Sequence, residues 1–434
     1  MPDDGVLVIG GGLAGLCAAI AARRLGVSVR LLENAPPALR GGNARHARNF
    51  RIAHAKPVWH TPGAYPPEDF LAELKKIAAP CPNEDLARAL VEDSQTCAEW
   101  LMGCGVRLQA PDAGVRPFSR RTAFLLGGGK AMINALYAEA ARLGVALEYD
   151  SDVLALAPTP EGWKAEIATA GARRRTRTRA IVVASGGPGG DPAWRREHFG
   201  ENADEILLRG SPWSNGRLMR KLIESGAQTL GDPTSRHMVA VDARGPATDG
   251  GIVTRITAIP HGLVIDRNAE RINLSGAGAG KTHYAQWGQK IAQCEGGAAF
   301  LLLDANAILR APPAALAPIR ADTLKTLAAT LNLDAPALAK TVETFNREAL
   351  HPIAAPPFFA FPLRAGLTFV HFGLAVDARL RVKTRDGAHK NLFAAGMIMA
   401  PNIFARGYLA GLGLTLSAVT GRRAGEAAAR HVLA

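Results

Sequence analysis

Residues 5–33 read GVLVIGGGLAGLCAAIAARRLGVSVRLLE. Val6 to Ile9 is a short apolar run of the kind that forms a buried strand. Gly10-Gly11-Gly12-Leu13-Ala14-Gly15 follows at once, then an Ala/Leu-rich helix pattern that stops at Gly26. Ser28 to Leu32 reads as a second strand, closed by Glu33. Strand, glycine turn, helix, strand and acid together make the βαβ dinucleotide fingerprint. Gly10 allows the tight turn, Gly12 lets the backbone approach a pyrophosphate, and Gly15 lets the helix lie close to the strand. The helix N-terminus offers unpaired N–H groups and a positive dipole end to phosphates. Glu33 lies 23 residues after Gly10, where a carboxylate accepts hydrogen bonds from a ribose.

The rest of the chain sets the bounds. Its 434 residues suit two or three domains. With 48% hydrophobic and 21% charged residues it is neither disordered nor fibrous. Fifty-one basic against 38 acidic residues give a net charge of +13. That leaves nucleic acid, an anionic membrane surface or an anionic small substrate as partners, or merely a genome that writes Arg for Lys. The run RRRTRTR at 173–179 alternates Arg with Thr, reading as one solvated face of a strand. It lacks the interleaved aromatics of a nucleic-acid site, so no nucleic-acid partner is expected. Cys17, Cys81, Cys97, Cys104 and Cys294 form no C-x-x-C pair, so neither an iron–sulfur cluster nor any other metal site is expected. Scattered thiols and no signal-like start point to a cytoplasmic protein. No apolar run is long enough to span a membrane.

Further along, residues 80–106 and 130–143 read as helices and 147–184 as short strands. Ile181 to Ala184 runs into a second glycine turn, Ser185-Gly186-Gly187. From about 232 to 362 Pro, His and Arg increase and the helix and strand signals shorten, which predicts an inserted domain. Strands then return, and a glycine-rich segment, 407–413, opens a terminal helix. The expected architecture is α/β. Return of the last strand and helix to the first domain is typical of flavin-binding folds, so the expectation is a Rossmann-like FAD-binding domain, split in sequence (1–231 and 363–434), with an inserted α+β capping or substrate domain (232–362).

GGGLAGLCAA (10–19), RGGNARHARN (40–49), FLLGGGKAMINALY (124–137), DPTSRHMVAVDARGP (232–246), DGGIVTR (249–255) and ARGYLAGLGL (405–414) converge on one family. The chain resembles the FAD-dependent fumarate reductase and succinate dehydrogenase flavoproteins, and among them the tricarballylate dehydrogenases most. The resemblance implies that Gly10, Gly12, Leu13, Ala14, Gly15, Glu33 and Asn34 bind the ADP half of FAD. It places Gly41, Gly42 and Asn43 along flavin and pyrophosphate, and Gly128, Gly129, Val153 and Gly186 along the cofactor. Gly396, Gly411, Leu412 and Gly413 fall at the isoalloxazine end. Three departures stand out. Met397 replaces the usual acid after Gly396, no Arg occurs near Lys281–Tyr284 where the family keeps its proton-shuttling arginine, and TFVHFG holds only His371. No histidine lies in residues 35–40, where relatives with covalent flavin carry one, so non-covalent FAD is expected.

The implied chemistry is dehydrogenation of adjacent carbons of a carboxylate, most closely tricarballylate to cis-aconitate. Such a C–H is a poor acid, so guanidinium forks on the carboxylate and a nearby base are required. The candidates are Arg406, His237, His283 and His371 as catalytic groups, with Arg45, His46, Arg48, Arg236 and Arg255 on the substrate. Each also has a plainer structural reading, as a loop anchor or a packed histidine. Electrons would leave to a separate iron–sulfur or membrane protein, which would give the chain a peripheral place at the membrane. Two alternatives remain open: a precorrin-3B synthase-like flavoprotein acting on a tetrapyrrole carboxylate, and a flavin-bound module without turnover.

Overall fold

A computed structural model describes residues 4–78, 81–110, 119–169, 171–274 and 284–434. The chain divides into two compact units. The first comprises Met1–Asp191, Trp213–Arg236 and Phe369–Ala434; the second comprises Pro192–Pro212 and His237–Thr368. The α/β architecture expected from the sequence is the one observed. The second unit differs from the expected insertion 232–362: its main stretch is His237–Thr368, and it also takes in Pro192–Pro212.

The first unit is built on a parallel sheet. Its strands run in the order Gly387–Ala394, Ala172–Val183, Asp4–Ile9, Val29–Leu32, Ala146–Glu148. Asp4–Ile9 is central, and Val6, Leu7 and Val8 are fully buried, which is why they read as a continuous apolar run. Arg381–Thr384 pairs antiparallel at one edge. Ser151–Thr159 and Gly162–Thr169 form a hairpin that pairs with the early part of Ala172–Val183. There Arg173, Arg175, Arg177 and Arg179 are exposed while Thr176 and Thr178 are buried, as the alternation predicts.

The glycine turn leads into the helix Leu13–Arg24, and the chain ends in the helix Leu412–Leu433. These two helices pack directly against each other. A Cβ on Gly421 would collide with the Ala14 carbonyl, and one on Gly425 with that of Ala18. The terminal helix therefore lies on the helix that follows the phosphate turn.

The helix expected over 80–106 is two helices, Glu84–Ser94 and Cys97–Met102; Pro80 lies outside the described residues. Asn83 caps the first, accepting from the Leu86 N–H at 3.0 Å, so the helix starts there. In the second unit, Leu263–Ile265, Ala298–Leu303 and residues 359–364 pair antiparallel. Helices Leu324–Leu331 and Ala335–Glu348 share a buried core with this sheet through Leu327, Leu338 and Val342. From about 232 to 362 the sequence suggests only short elements, yet Thr229–Asp242 and Phe358–Leu374 are long strands. Thr229–Asp242 lies at a sheet edge, which tolerates its Pro233.

Candidate cofactor and substrate site

The phosphate turn has the geometry its glycines predict. Gly10 has φ +105°, and a Cβ there would sit 2.5 Å from the Ala184 carbonyl oxygen. At Gly12 a Cβ would meet nothing nearer than the Gly41 oxygen at 3.7 Å, so the space above this residue is open. Gly12 is also the N-cap of Leu13–Arg24 and provides no side-chain cap. The helix thus presents unpaired N–H groups to an open space, which suits a pyrophosphate.

Glu33 is buried at the end of its strand, only 4% exposed. Oε2 accepts from the Gly11 N–H at 3.0 Å and Oε1 from the Ala35 N–H at 2.9 Å. Burial pushes its pKa up, and the amides of Ala35, Gly11, Gly41 and Asn34 pull it back down. Asn34 donates to the Trp213 carbonyl at 2.9 Å. Tyr137 reaches the same turn, donating to the Gly11 carbonyl at 3.1 Å; nothing in the local sequence pattern marks it.

Gly42–His46 is a short 3₁₀ turn containing Asn43, Arg45 and His46. It is held against Gly128–Arg142 by the Gly129 N–H, which donates to the Ala47 carbonyl at 2.6 Å. Arg45 Nε donates to His46 Nε2 at 3.2 Å, so those two side chains engage each other. The Arg48 carbonyl accepts from the Leu125 N–H at 2.8 Å. Val153 is buried in the hairpin strand Ser151–Thr159.

Two observations test whether this chain suits FAD. Ser185, at the end of Ala172–Val183 and beside Gly10, has a buried hydroxyl with no hydrogen-bond partner; a buried hydroxyl in that state calls for a ligand or water. The open cradle at Gly12 is the other. At the far end, Gly396 packs on Ala14 and donates its N–H to Thr420 Oγ1 at 2.9 Å. Gly411 (φ +83°) is the N-cap of Leu412–Leu433 and again has no side-chain cap. The Tyr408 hydroxyl accepts weakly from the Gly413 N–H at 3.3 Å, and Met397 Sδ lies close by. Two uncapped helix N-termini, on helices packed against each other, fit a cofactor with a pyrophosphate at one end and an electron-accepting ring at the other.

The first unit also positions Arg406. His371 is 3% exposed, and its Nε2 lies 2.9 Å from the Gly407 carbonyl. A carbonyl only accepts, so the ring proton is on Nε2 and Nδ1 accepts from the Ser235 hydroxyl at 3.1 Å. Both ring nitrogens are therefore committed, and His371 holds the loop next to Arg406 together with the segment next to Arg236. Phe369 and Phe404 pack edge-on against the ring. Arg406 itself is exposed, and Arg236 Nη1 donates to the Thr234 carbonyl at 2.9 Å. Arg51 supports the same loop, donating to the Ala410 carbonyl at 3.1 Å and to Glu73 at 2.8 Å.

Burial lowers the His371 pKa, while the Gly407 carbonyl, the Ser235 backbone and the charge of Asp232 oppose that shift. A depressed folded-state pKa contributes stability above the unfolded value of about 6.5 that is lost as pH falls through the folded value. The melting temperature should therefore drop on acidification from pH 7 to about 5, and His371→Gln should make that drop shallower. An identical acid limb in the variant would show that His371 does not titrate with unfolding.

The second unit groups three further residues. His237 is 6% exposed and edge-on to Tyr284, with ring centroids 6.0 Å apart. The Arg255 guanidinium lies 4.1 Å from the Tyr284 ring centroid. Tyr284 is the one described residue of the 281–284 stretch; His283 lies outside the described residues.

The model of the FAD binding domain family matches residues 5–413. The chain belongs to that family. It is an FAD-dependent oxidoreductase. No curated protein matches the chain. Among solved structures it is similar to the open conformation of a flavocytochrome c3 fumarate reductase, at 20% identity and TM-score 0.81, over 100% of this chain and 79% of that one. It is also similar to the 3-ketosteroid-Δ4-(5α)-dehydrogenase of Rhodococcus jostii RHA1, at 22% identity and TM-score 0.74, over 98% and 97%. The 3-ketosteroid Δ1-dehydrogenase of Sterolibacterium denitrificans matches at 17% identity and TM-score 0.79, over 99% and 100%. At these identities the likeness establishes a shared fold.

Because residues 35–40 hold no histidine, the FAD of this family member is expected to dissociate. After acid precipitation the yellow colour should remain in the supernatant. A yellow pellet would instead mark a covalent bond formed elsewhere.

Proposed function

We propose that the protein dehydrogenates adjacent carbons of a small polycarboxylate, with tricarballylate as substrate and cis-aconitate as product. The observation that carries this reading is the loop fixed by His371. It presents an exposed Arg406 five residues ahead of Gly411, the uncapped start of the terminal helix. An arginine fork there suits a carboxylate, and the helix start suits negative charge on the electron acceptor.

In this reading Arg406 clamps one carboxylate and stabilises charge that develops as the neighbouring carbon loses its proton. Arg236, Arg45, His46 and Arg48 are the further anion-binding groups of the first unit. His371 acts as a positioning residue, since both its nitrogens are bonded to protein. Bound FAD supplies the two-electron acceptor. A separate protein then takes the electrons on, and the excess of arginine matches a multiply charged substrate.

The test is anaerobic reduction of the bound flavin, screened over di- and tricarboxylates and, as the competing class, 3-ketosteroids. Bleaching by tricarballylate but not by a steroid supports the reading. Bleaching by a steroid alone would replace it. A flavin that nothing in the panel reduces favours a module without turnover, the reading that Met397 in place of an acid keeps in view.

A further inference from the structure

A second hollow lies in the first unit, separate from the phosphate turn and from the loop of Arg406. It encloses about 720 Å³, within the range of small-molecule sites. Five segments line it, and three of them are bonded to one another. The Gln228 N–H donates to the Lys383 carbonyl at 2.8 Å, the Lys383 N–H to the Ala375 carbonyl at 2.9 Å, and the Ala375 N–H to the Gln228 carbonyl at 2.8 Å. This closed set of main-chain bonds fixes the walls.

Asn402, 1% exposed, fixes the floor. Its Oδ1 accepts from the Val376 N–H at 3.0 Å, and its Nδ2 donates to the Leu374 and Met399 carbonyls at 2.8 and 2.7 Å. The Asn402 carbonyl accepts from the Asn83 N–H at 2.9 Å, so the far wall is tied to the same residue. The hollow is therefore held open by the fold itself, and a ligand would find it already formed.

Its charge is one-sided. Lys383 and Arg385 both line it and are both exposed. Among the described residues neither has a carboxylate within 4.0 Å. The one acid of the lining, Glu224, is already engaged by Lys221 Nζ at 2.7 Å. The amide of Gln228 and the hydroxyl of Thr229 add neutral hydrogen-bonding groups beside the two cations, while Ile223, Leu230 and Val376 supply apolar wall. Two cations with no acid paired to them, in a preformed cleft with neutral donors, select an anion.

We propose that this cleft binds a small multivalent anion carrying phosphate or carboxylate groups, clamped by Lys383 and Arg385. The site is independent of the substrate assignment above, and it adds a second anion-binding function to the protein.

The test uses the FAD-loaded protein and isothermal titration with two probes, inorganic pyrophosphate and citrate. At least one should bind with one-to-one stoichiometry, and the double variant Lys383→Ala/Arg385→Ala should weaken that binding by about tenfold or more. Both side chains are exposed, so the variant should keep its FAD and its melting temperature, and both are measured alongside. Binding of pyrophosphate alone identifies a phosphate ligand; binding of citrate alone identifies a carboxylate. Citrate can also enter the proposed substrate site. Citrate binding that is unchanged in the double variant therefore counts against this cleft, whatever it says of the other. The proposal is overturned if neither probe saturates below about 10 mM, or if the double variant binds both as tightly as the parent.

Discussion

Replacing Arg406 with alanine should abolish bleaching of the flavin by tricarballylate while leaving FAD bound. The main chain around Arg406 is held by other groups: His371 bonds the Gly407 carbonyl and Arg51 the Ala410 carbonyl. Removing an exposed side chain from that loop should leave its path unchanged. What is lost is a guanidinium whose charge-assisted bonds to a carboxylate are worth about 1.5–3 kcal/mol each. With two such bonds engaged as charge develops, kcat/KM should fall by roughly 10²–10⁴-fold. Arg406→Lys should restore only a small part, because a point charge does not reproduce the planar fork. The readouts are anaerobic flavin reduction and FAD content per chain. Normal bleaching in Arg406→Ala would remove Arg406 from the mechanism. Loss of FAD together with activity would make it a structural residue.

Gly12→Val should separate cofactor binding from folding. The backbone at Gly12 has ordinary extended angles, φ −74° and ψ −177°, so a side chain adds no strain there. A Cβ would meet no protein atom nearer than 3.7 Å, and the FAD-free protein should fold and melt as before. The new side chain would, however, fill the space above the helix N-terminus. Displacing a pyrophosphate from two charge-assisted N–H contacts should weaken FAD binding by about 10²–10⁴-fold. Gly15 makes the contrasting case. A Cβ there would collide with the Gly10 carbonyl oxygen, so Gly15→Val should lower the melting temperature of the FAD-free protein itself. Fluorescence titration with FAD and thermal melts of both variants distinguish the two outcomes. Retained FAD affinity in Gly12→Val would mean that the phosphates lie elsewhere.

The features legible in the sequence are those set by local sterics and periodicity. The βαβ opening was readable because an apolar run, three glycines with distinct steric duties and a closing acid all fall within 29 residues. The return of the terminal helix was readable from its glycine-rich start, and Gly421 and Gly425 show why it lies so close to the first helix. The features that were not legible depend on tertiary partners. Pro192–Pro212 joins the second unit although nothing in its composition separates it from its neighbours. The long strands Thr229–Asp242 and Phe358–Leu374 were obscured by proline and charge. For His371, the sequence left a choice between a catalytic and a packed residue. Its bonds to Ser235 and Gly407 come from segments 136 and 36 residues away, and no local pattern encodes such partners. The buried hydroxyl of Ser185 was equally silent, since only the folded environment shows that it has no partner.

The most direct test of the whole account is anaerobic mixing of the FAD-loaded protein with tricarballylate, following the visible flavin band and identifying the product. The account predicts loss of the oxidised band with one cis-aconitate formed for each flavin reduced. A fully oxidised flavin after prolonged incubation, or a reduced flavin with no matching unsaturated acid, would contradict it.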